Sequence, residues 1–153
     1  VMVPSTLGGY TVTQIGTAFA GNTNLVSITL SKGVEIIGPR AFSGCTNLTT
    51  VILPDTLEAI SWEAFSDCTS LKEITLPDSI TLIGERVFKG CANLTSVKFD
   101  FKGQWIMYMQ DEYGQPIQST AKPINSPVSA DVLAQWMTDD YVEYAFISTG
   151  YTG

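Results

Sequence analysis

Residues 34–54 read VEIIGPRAFSGCTNLTTVILP, and the stretch returns as LEAISWEAFSDCTSLKEITLP at 57–77 and ITLIGERVFKGCANLTSVKFD at 80–100. The step is 23 residues each time. Phe19, Phe42, Phe65 and Phe88 keep that step, as do Leu25, Leu48, Leu71 and Leu94. Ile28, Val51, Ile74 and Val97 make a third column, and Leu30, Leu53, Leu76 and Phe99 a fourth. A first copy starts at Val12 and is one residue short between Gly16 and Phe19. Four apolar columns at one period mark a repeat array in which each copy is one turn of a coil.

The pattern L-x-x-V-x-L supplies a short strand in each copy. Alternation along it points Ile28 and Leu30 inward and Thr29 outward. Successive copies are expected to stack in register about 4.8 Å apart, giving one parallel sheet through Ile28–Leu30, Val51–Leu53, Ile74–Leu76 and Val97–Phe99. Val34, Ile37, Ala41 and Phe42 line the opposite wall. A single turn cannot bury both walls, but stacked turns share one core. The four Phe residues should therefore form one buried column. Gly21, Gly44 and Gly90 share a position with Asp67, which makes it the candidate for left-handed backbone. Pro4, Pro54 and Pro77 follow the strands and end them. Val1–Pro4 aligns with Val51–Pro54, so the chain opens inside a strand, and residues 5–11 read as a longer first turn. We read the chain as a mature or trimmed piece of something longer.

The segments IGPRAFSGCTNL and IGERVFKGCANL make residues 1–102 resemble the BspA-like class of leucine-rich repeats, found in surface and secreted proteins of host-associated bacteria and some protozoa. The resemblance implies a right-handed α/β-type coil with short parallel strands and little regular helix. It also implies a binding or adhesive role, without naming a ligand or carrying over binding residues. The end of the chain, 146–153, is similar to the stretch that precedes a first coil in this family, so a further array is expected after it in a parent protein.

Composition narrows the function. The chain has 153 residues, 44% hydrophobic, enough for a sizeable core. Its net charge is −7, with 8 Lys and Arg against 15 Asp and Glu. A phosphate-binding surface needs clustered cations, so nucleic acid is disfavoured as a partner, and an anionic membrane surface with it. No apolar run is long enough to span a bilayer. There is no histidine, which removes Ser-His-Asp and Cys-His catalysis and the commonest metal ligand. Residues 103–153 hold six acids and one Lys, a net −5.

Beyond Phe101 the period stops. Gln104–Met109 alternates like a strand, Asp111–Gly114 reads as a turn, and 119–129 as loop. Ser129 suits a helix N-cap, with Val132, Leu133, Trp136 and Met137 on one helical face. Tyr141–Ile147 reads as a final strand. We take 1–102 as the solenoid, about four coils, and 103–153 as a mixed α+β segment that caps the last coil.

Site candidates are few. Cys45, Cys68 and Cys91 form a ladder, one per coil, that does not converge as metal ligands do; buried free thiols are expected. Leu53–Thr56 imitates the start of a cell-wall sorting signal but lacks its glycine. Asn47 and Asn93 fall in glycosylation-like triplets that the repeat itself generates. Asp111–Glu112 and Asp139–Asp140 are not placed across any cleft, as glycosidase carboxylates must be. Trp62 shares its column with Pro39 and Glu85, which puts it at the surface. There it is either an aromatic contact for a ligand or a ring laid over the neighbouring coil. The outward residues Thr29, Thr50, Ile52, Lys72, Glu73, Thr75, Ser96 and Lys98 make a possible ligand face. No catalytic, cofactor or metal residues are assigned, and no cofactor is expected. The reading is a secreted or cell-surface binding module, without its signal and anchor segments, that takes a host or bacterial surface protein or glycan. The alternatives are a structural spacer and an accessory carbohydrate-binding module using Trp62 or the aromatics of 103–153.

Overall fold

A computed structural model of the chain describes residues 1–99, 104–109, 113, 122–124 and 144–150. In chain order the strands are β1 (Met2–Val3), β2 (Thr6–Leu7), β3 (Tyr10–Thr11), β4 (Gln14–Ile15), β5 (Ser27–Leu30), β6 (Ile36–Ile37) and β7 (Thr50–Ile52). They continue as β8 (Ala59–Ile60), β9 (Glu73–Thr75), β10 (Leu82–Ile83), β11 (Ser96–Lys98), β12 (Gln104–Met109), β13 (Lys122–Ile124) and β14 (Tyr144–Gly150). The helical content among the described residues is a single 3-10 turn at Thr17–Phe19. The molecule is thus a parallel β-solenoid of about four turns.

Each coil contributes one strand to a back wall and one to a front wall. In the back wall β4, β6, β8 and β10 pair in parallel, in chain order, without interruption. In the front wall β1, β5 and β7 form one sheet and β9 and β11 another. This corrects the single front sheet expected from the sequence: strand order is as expected, but no ladder joins β7 to β9. Between the walls lie Leu25, Ile28, Val34, Ile37, Leu48, Leu57, Ile60, Leu71, Ile74, Ile83 and Val97, all buried. Phe42, Phe65 and Phe88 are fully buried, and their rings stack at 5.1 and 5.8 Å between centroids. Phe19 stacks on Phe42 at 5.4 Å but is only half-buried, because the coil before it supplies no fifth ring.

An arm of turns, not a helix, connects back wall to front wall, and main-chain hydrogen bonds explain why. Ala41, Ser43 and Cys45 donate their N–H groups to Gly38, Arg40 and Phe42 three residues back. Arg40, Phe42 and Gly44 donate theirs to Trp62, Ala64 and Ser66 of the next coil. The following coil repeats this, with Glu63, Phe65 and Asp67 donating to Glu85, Val87 and Lys89. A helix would keep every N–H to itself; here alternate ones tie coil to coil. The alternation needs left-handed residues. The expected column supplies one, with Gly21 at φ 72°, Gly44 at 75°, Asp67 at 57° and Gly90 at 73°. A second column, Arg40, Glu63 and Arg86, lies at 53–54° and contains no glycine to announce it.

Two details differ at the ends. The expected first turn contains a hairpin, β2 against β3, closed by Gly8 and Gly9 at φ 59° and 86°, the pair of positive values a two-residue turn requires. Within the expected loop 119–129 lies β13, which contains Pro123 and pairs with β12 at the sheet edge, the place where a strand tolerates proline. β12 matches the expected strand, while the last strand is described from Tyr144 to Gly150, and the expected helix lies outside the described residues. β14 pairs antiparallel with β10 and with β12, so these strands extend the back wall. Trp105 is buried and meets Phe99 edge-on at 5.4 Å.

Candidate binding face

The front wall carries the outward residues that the sequence singles out. Met2, Thr29 and Ile52 lie in register in one row, Ser27 and Thr50 in the row beside it. Across the break, Thr75 pairs with Lys98 and Glu73 with Ser96. Thr50, Ile52, Lys72, Glu73, Thr75 and Lys98 are exposed, and Thr29 and Ser96 half-buried. Not every hydroxyl is free to meet a ligand. Thr49 and Thr95 donate theirs to the carbonyls of Val26 and Lys72 in the preceding coils.

The break between β7 and β9 gives this face its relief. At intact junctions the main-chain N–H of Thr49 reaches Val26 O at 2.8 Å, and that of Thr95 reaches Lys72 O at 3.0 Å. Lys72, in the same column, makes no such bond. Along the seam runs a cavity of about 300 Å³ lined by Val51, Ile52, Leu53, Thr75 and Pro77. A smaller one of about 110 Å³ is lined by Thr49, Thr50, Val51, Glu73, Ile74 and Thr75. Val51 and Leu53 point inward by the alternation, yet both are only half-buried, whereas Ile28, Ile74, Val97, Leu30 and Leu76 in the same columns are buried. The seam therefore has an apolar floor and a rim of hydroxyls with one carboxylate. Nothing in the repeat pattern announces it, since Leu71-x-x-Ile74-x-Leu76 is intact. Ser70 replaces the asparagine of its column, but its hydroxyl still donates to Thr46 O at 2.6 Å, much as Asn47 and Asn93 donate to Thr23 O and Thr69 O. The two sequon-like asparagines are thus cross-coil fasteners.

Trp62 lies outside this face, at the junction of back wall and turn arm. It is 40% exposed, and the guanidinium of Arg40, in the neighbouring coil, lies over its ring, 4.9 Å from the centroid. The three cysteines are buried and free. Each thiol donates to a phenylalanine carbonyl one coil back: Cys45 to Phe19 at 3.1 Å, Cys68 to Phe42 at 3.3 Å, Cys91 to Phe65 at 3.0 Å. The neighbouring Cys91 thiol and burial push Cys68 well above the ordinary thiol range, and burial raises Cys45. Such thiols are poor nucleophiles. Among the described residues no group of three or more His, Cys, Asp or Glu converges as a metal site would. No helix among them is long and apolar enough to cross a membrane.

Coil period, paired walls and helix-poor arm define a leucine-rich-repeat solenoid. A sequence model of the BspA type leucine rich repeat region matches residues 11–109 in six copies, and the chain belongs to that family. Among solved structures it is similar to a leucine-rich repeat protein of T. pallidum, TpLRR, at 41% identity and a TM-score of 0.60 over 62% of this chain. It spans only 45% of that protein. A leucine-rich repeat protein of Bacteroides capillosus shares 34% identity with a TM-score of 0.58, over 63% of this chain and 73% of the other. The pneumococcal vaccine antigen PcpA shares 30% identity with a TM-score of 0.56, over 63% of this chain and 23% of PcpA. No curated protein matches the chain.

Proposed function

We propose that the chain is an extracellular binding module that takes a protein partner on its front wall, centred on the seam between β7 and β9. One observation supports this above the rest: the seam leaves Val51 and Leu53 half-buried beside a rim of Thr49, Thr50, Thr75 and Glu73. Desolvated apolar side chains ringed by polar ones are the anatomy of an interface centre. On this reading Ile52 and Thr75 are central contacts, with Thr29, Thr50, Lys72, Glu73, Ser96 and Lys98 around them. The partner is a surface protein of a host or of another bacterium. The extracellular setting is supported by the family resemblance and by a similar structure described as a vaccine antigen. The chemistry is binding without catalysis.

An array of host and bacterial surface proteins, probed with the purified chain and with an Ile52→Glu, Thr75→Arg double variant, tests the proposal. A hit that the double variant loses and a Trp62→Ala variant keeps supports it. Equal capture by the double variant refutes the front wall as the site. Capture of nothing by the intact chain favours the spacer reading.

A further inference from the structure

The second left-handed column of the turn arm carries more than the fold requires. Glycine fills a positive-φ position without penalty, and the neighbouring column uses it in three coils of four. The column of Arg40, Glu63 and Arg86 uses long charged residues at φ 53–54° instead. Its members are joined. Arg40 Nε donates to Glu63 Oε2 at 2.8 Å, and Arg86 Nη1 lies 3.8 Å from Glu63 Oε1. The ion pairs brace the column across three coils, and they also set up one end of it.

That end is Arg40. Its side chain is 56% exposed, its guanidinium lies over the Trp62 ring, and Glu63 holds it through Nε. A guanidinium has five N–H donors in a planar fork. Fixing Nε and the plane leaves the paired Nη1 and Nη2 groups preorganised for a carboxylate. Beside the fork, Trp62 offers exposed indole surface, suited to the C–H face of a pyranose ring. Glu85, next to Trp62 in its column, is half-buried, and burial raises its carboxyl above its ordinary value. Trp62 occurs once in its column, so the pairing is made at one coil only.

We propose that Arg40 and Trp62 form a subsite for an acidic sugar residue of the hexuronate type, with its carboxylate on the Nη pair of Arg40 and its ring against the indole. A hexuronate carries both features within one sugar, whereas a neutral hexose lacks the anion and a simple carboxylate lacks the ring. The subsite lies off the front wall and stands independently of a protein partner there.

The test uses the full chain labelled with nitrogen-15, following the Trp62 indole and Arg40 Nε–H signals, assigned with Trp62→Phe and Arg40→Lys. Methyl glucuronide, methyl glucoside and sodium acetate are titrated at matched ionic strength. Methyl glucuronide should shift both signals saturably, and the other two should bind at least about tenfold more weakly, the step a charge-assisted fork or a ring contact is worth. Arg40→Lys, which keeps the charge and loses the fork, should weaken glucuronide by roughly tenfold with an unchanged melt. If that variant does not fold, Arg40→Gln, which removes charge and fork together, should weaken glucuronide by at least about tenfold. Ile52→Glu should leave glucuronide binding as it is. Absence of saturable shifts overturns the proposal. So does equal binding of the glucoside, which would make the site a neutral-sugar platform, and so does equal binding of acetate, which would make it a plain anion site. Undiminished affinity in Arg40→Lys would overturn it too.

Discussion

The two walls are built from the same 23-residue unit, yet one is continuous and the other is split. The back wall runs unbroken from β4 to β10 and continues into β14 and β12. The front wall parts between β7 and β9 although the coils behind it stay in contact: β6 still pairs with β8, and Phe42 stacks on Phe65 at 5.1 Å, nearly parallel. Cohesion thus resides in the back wall, the arm and the phenylalanine column, and the front wall is free to vary. A binding face needs that freedom, because side chains that no longer fasten coil to coil can meet something else.

The comparison breaks first at the last coil. A chain ending at residue 102 removes β12 and β14 from the back wall and Trp105 from Phe99. Each apolar side chain uncovered forgoes roughly 1.5–3 kcal/mol of burial. We expect that chain to aggregate or to fold poorly, as size-exclusion chromatography would show; an unchanged monomer would make 103–153 a separate module and not the cap we propose. Next in size is Phe65→Ala, in the column both walls share, which should cost about 3–5 kcal/mol in urea unfolding.

Smaller effects sharpen the contrast between the walls. Gly84 sits so close to the coil before it that a methyl group there would run into the Trp62 nitrogen and Ser61 carbonyl carbon. Gly84→Ala should therefore cost about 1–3 kcal/mol, while Ile52→Ala on the front wall should change stability by no more than about 0.5 kcal/mol. Equal costs would erase the distinction. Within the front wall, Val97→Ala should lose much of the roughly 1.5–3 kcal/mol that a buried valine contributes, and Val51→Ala clearly less, because the seam already exposes it. The finest probe is hydrogen exchange. The Lys72 amide should exchange faster than those of Thr49 and Thr95, by roughly tenfold or more. Matching protection at all three would mean that the seam is closed in solution.

The coil was legible because burial imposes period on sequence. Columns of Phe and Leu fix the step, and alternation in L-x-x-V-x-L assigns Ile28 and Leu30 to the core. The glycine column announces its own backbone, and Asp67 among the glycines is a residue that tolerates it. The Gly8-Gly9 pair was a hairpin signal inside what reads as a plain turn. Other features leave no mark. The seam depends on main-chain separation at one junction, where every apolar position is still filled correctly. The left-handed column of Arg40, Glu63 and Arg86 carries no residue type that favours it, and the guanidinium over Trp62 follows from that backbone. Among the face residues, sequence separates inward from outward, but it cannot tell that Thr49 and Thr95 have already committed their hydroxyls.

The alternating bonds of the turn arm bear on how such a protein changes over generations. The second and third coils each hand the next one three main-chain donors, Arg40, Phe42 and Gly44 in one and Glu63, Phe65 and Asp67 in the other, and the first hands on Gly21. A duplication or excision of 23 residues within the array, begun at any point of the coil, leaves no donor stranded and no acceptor empty in the arm. Array length can therefore drift by whole coils while surface residues such as Trp62 diversify one copy at a time.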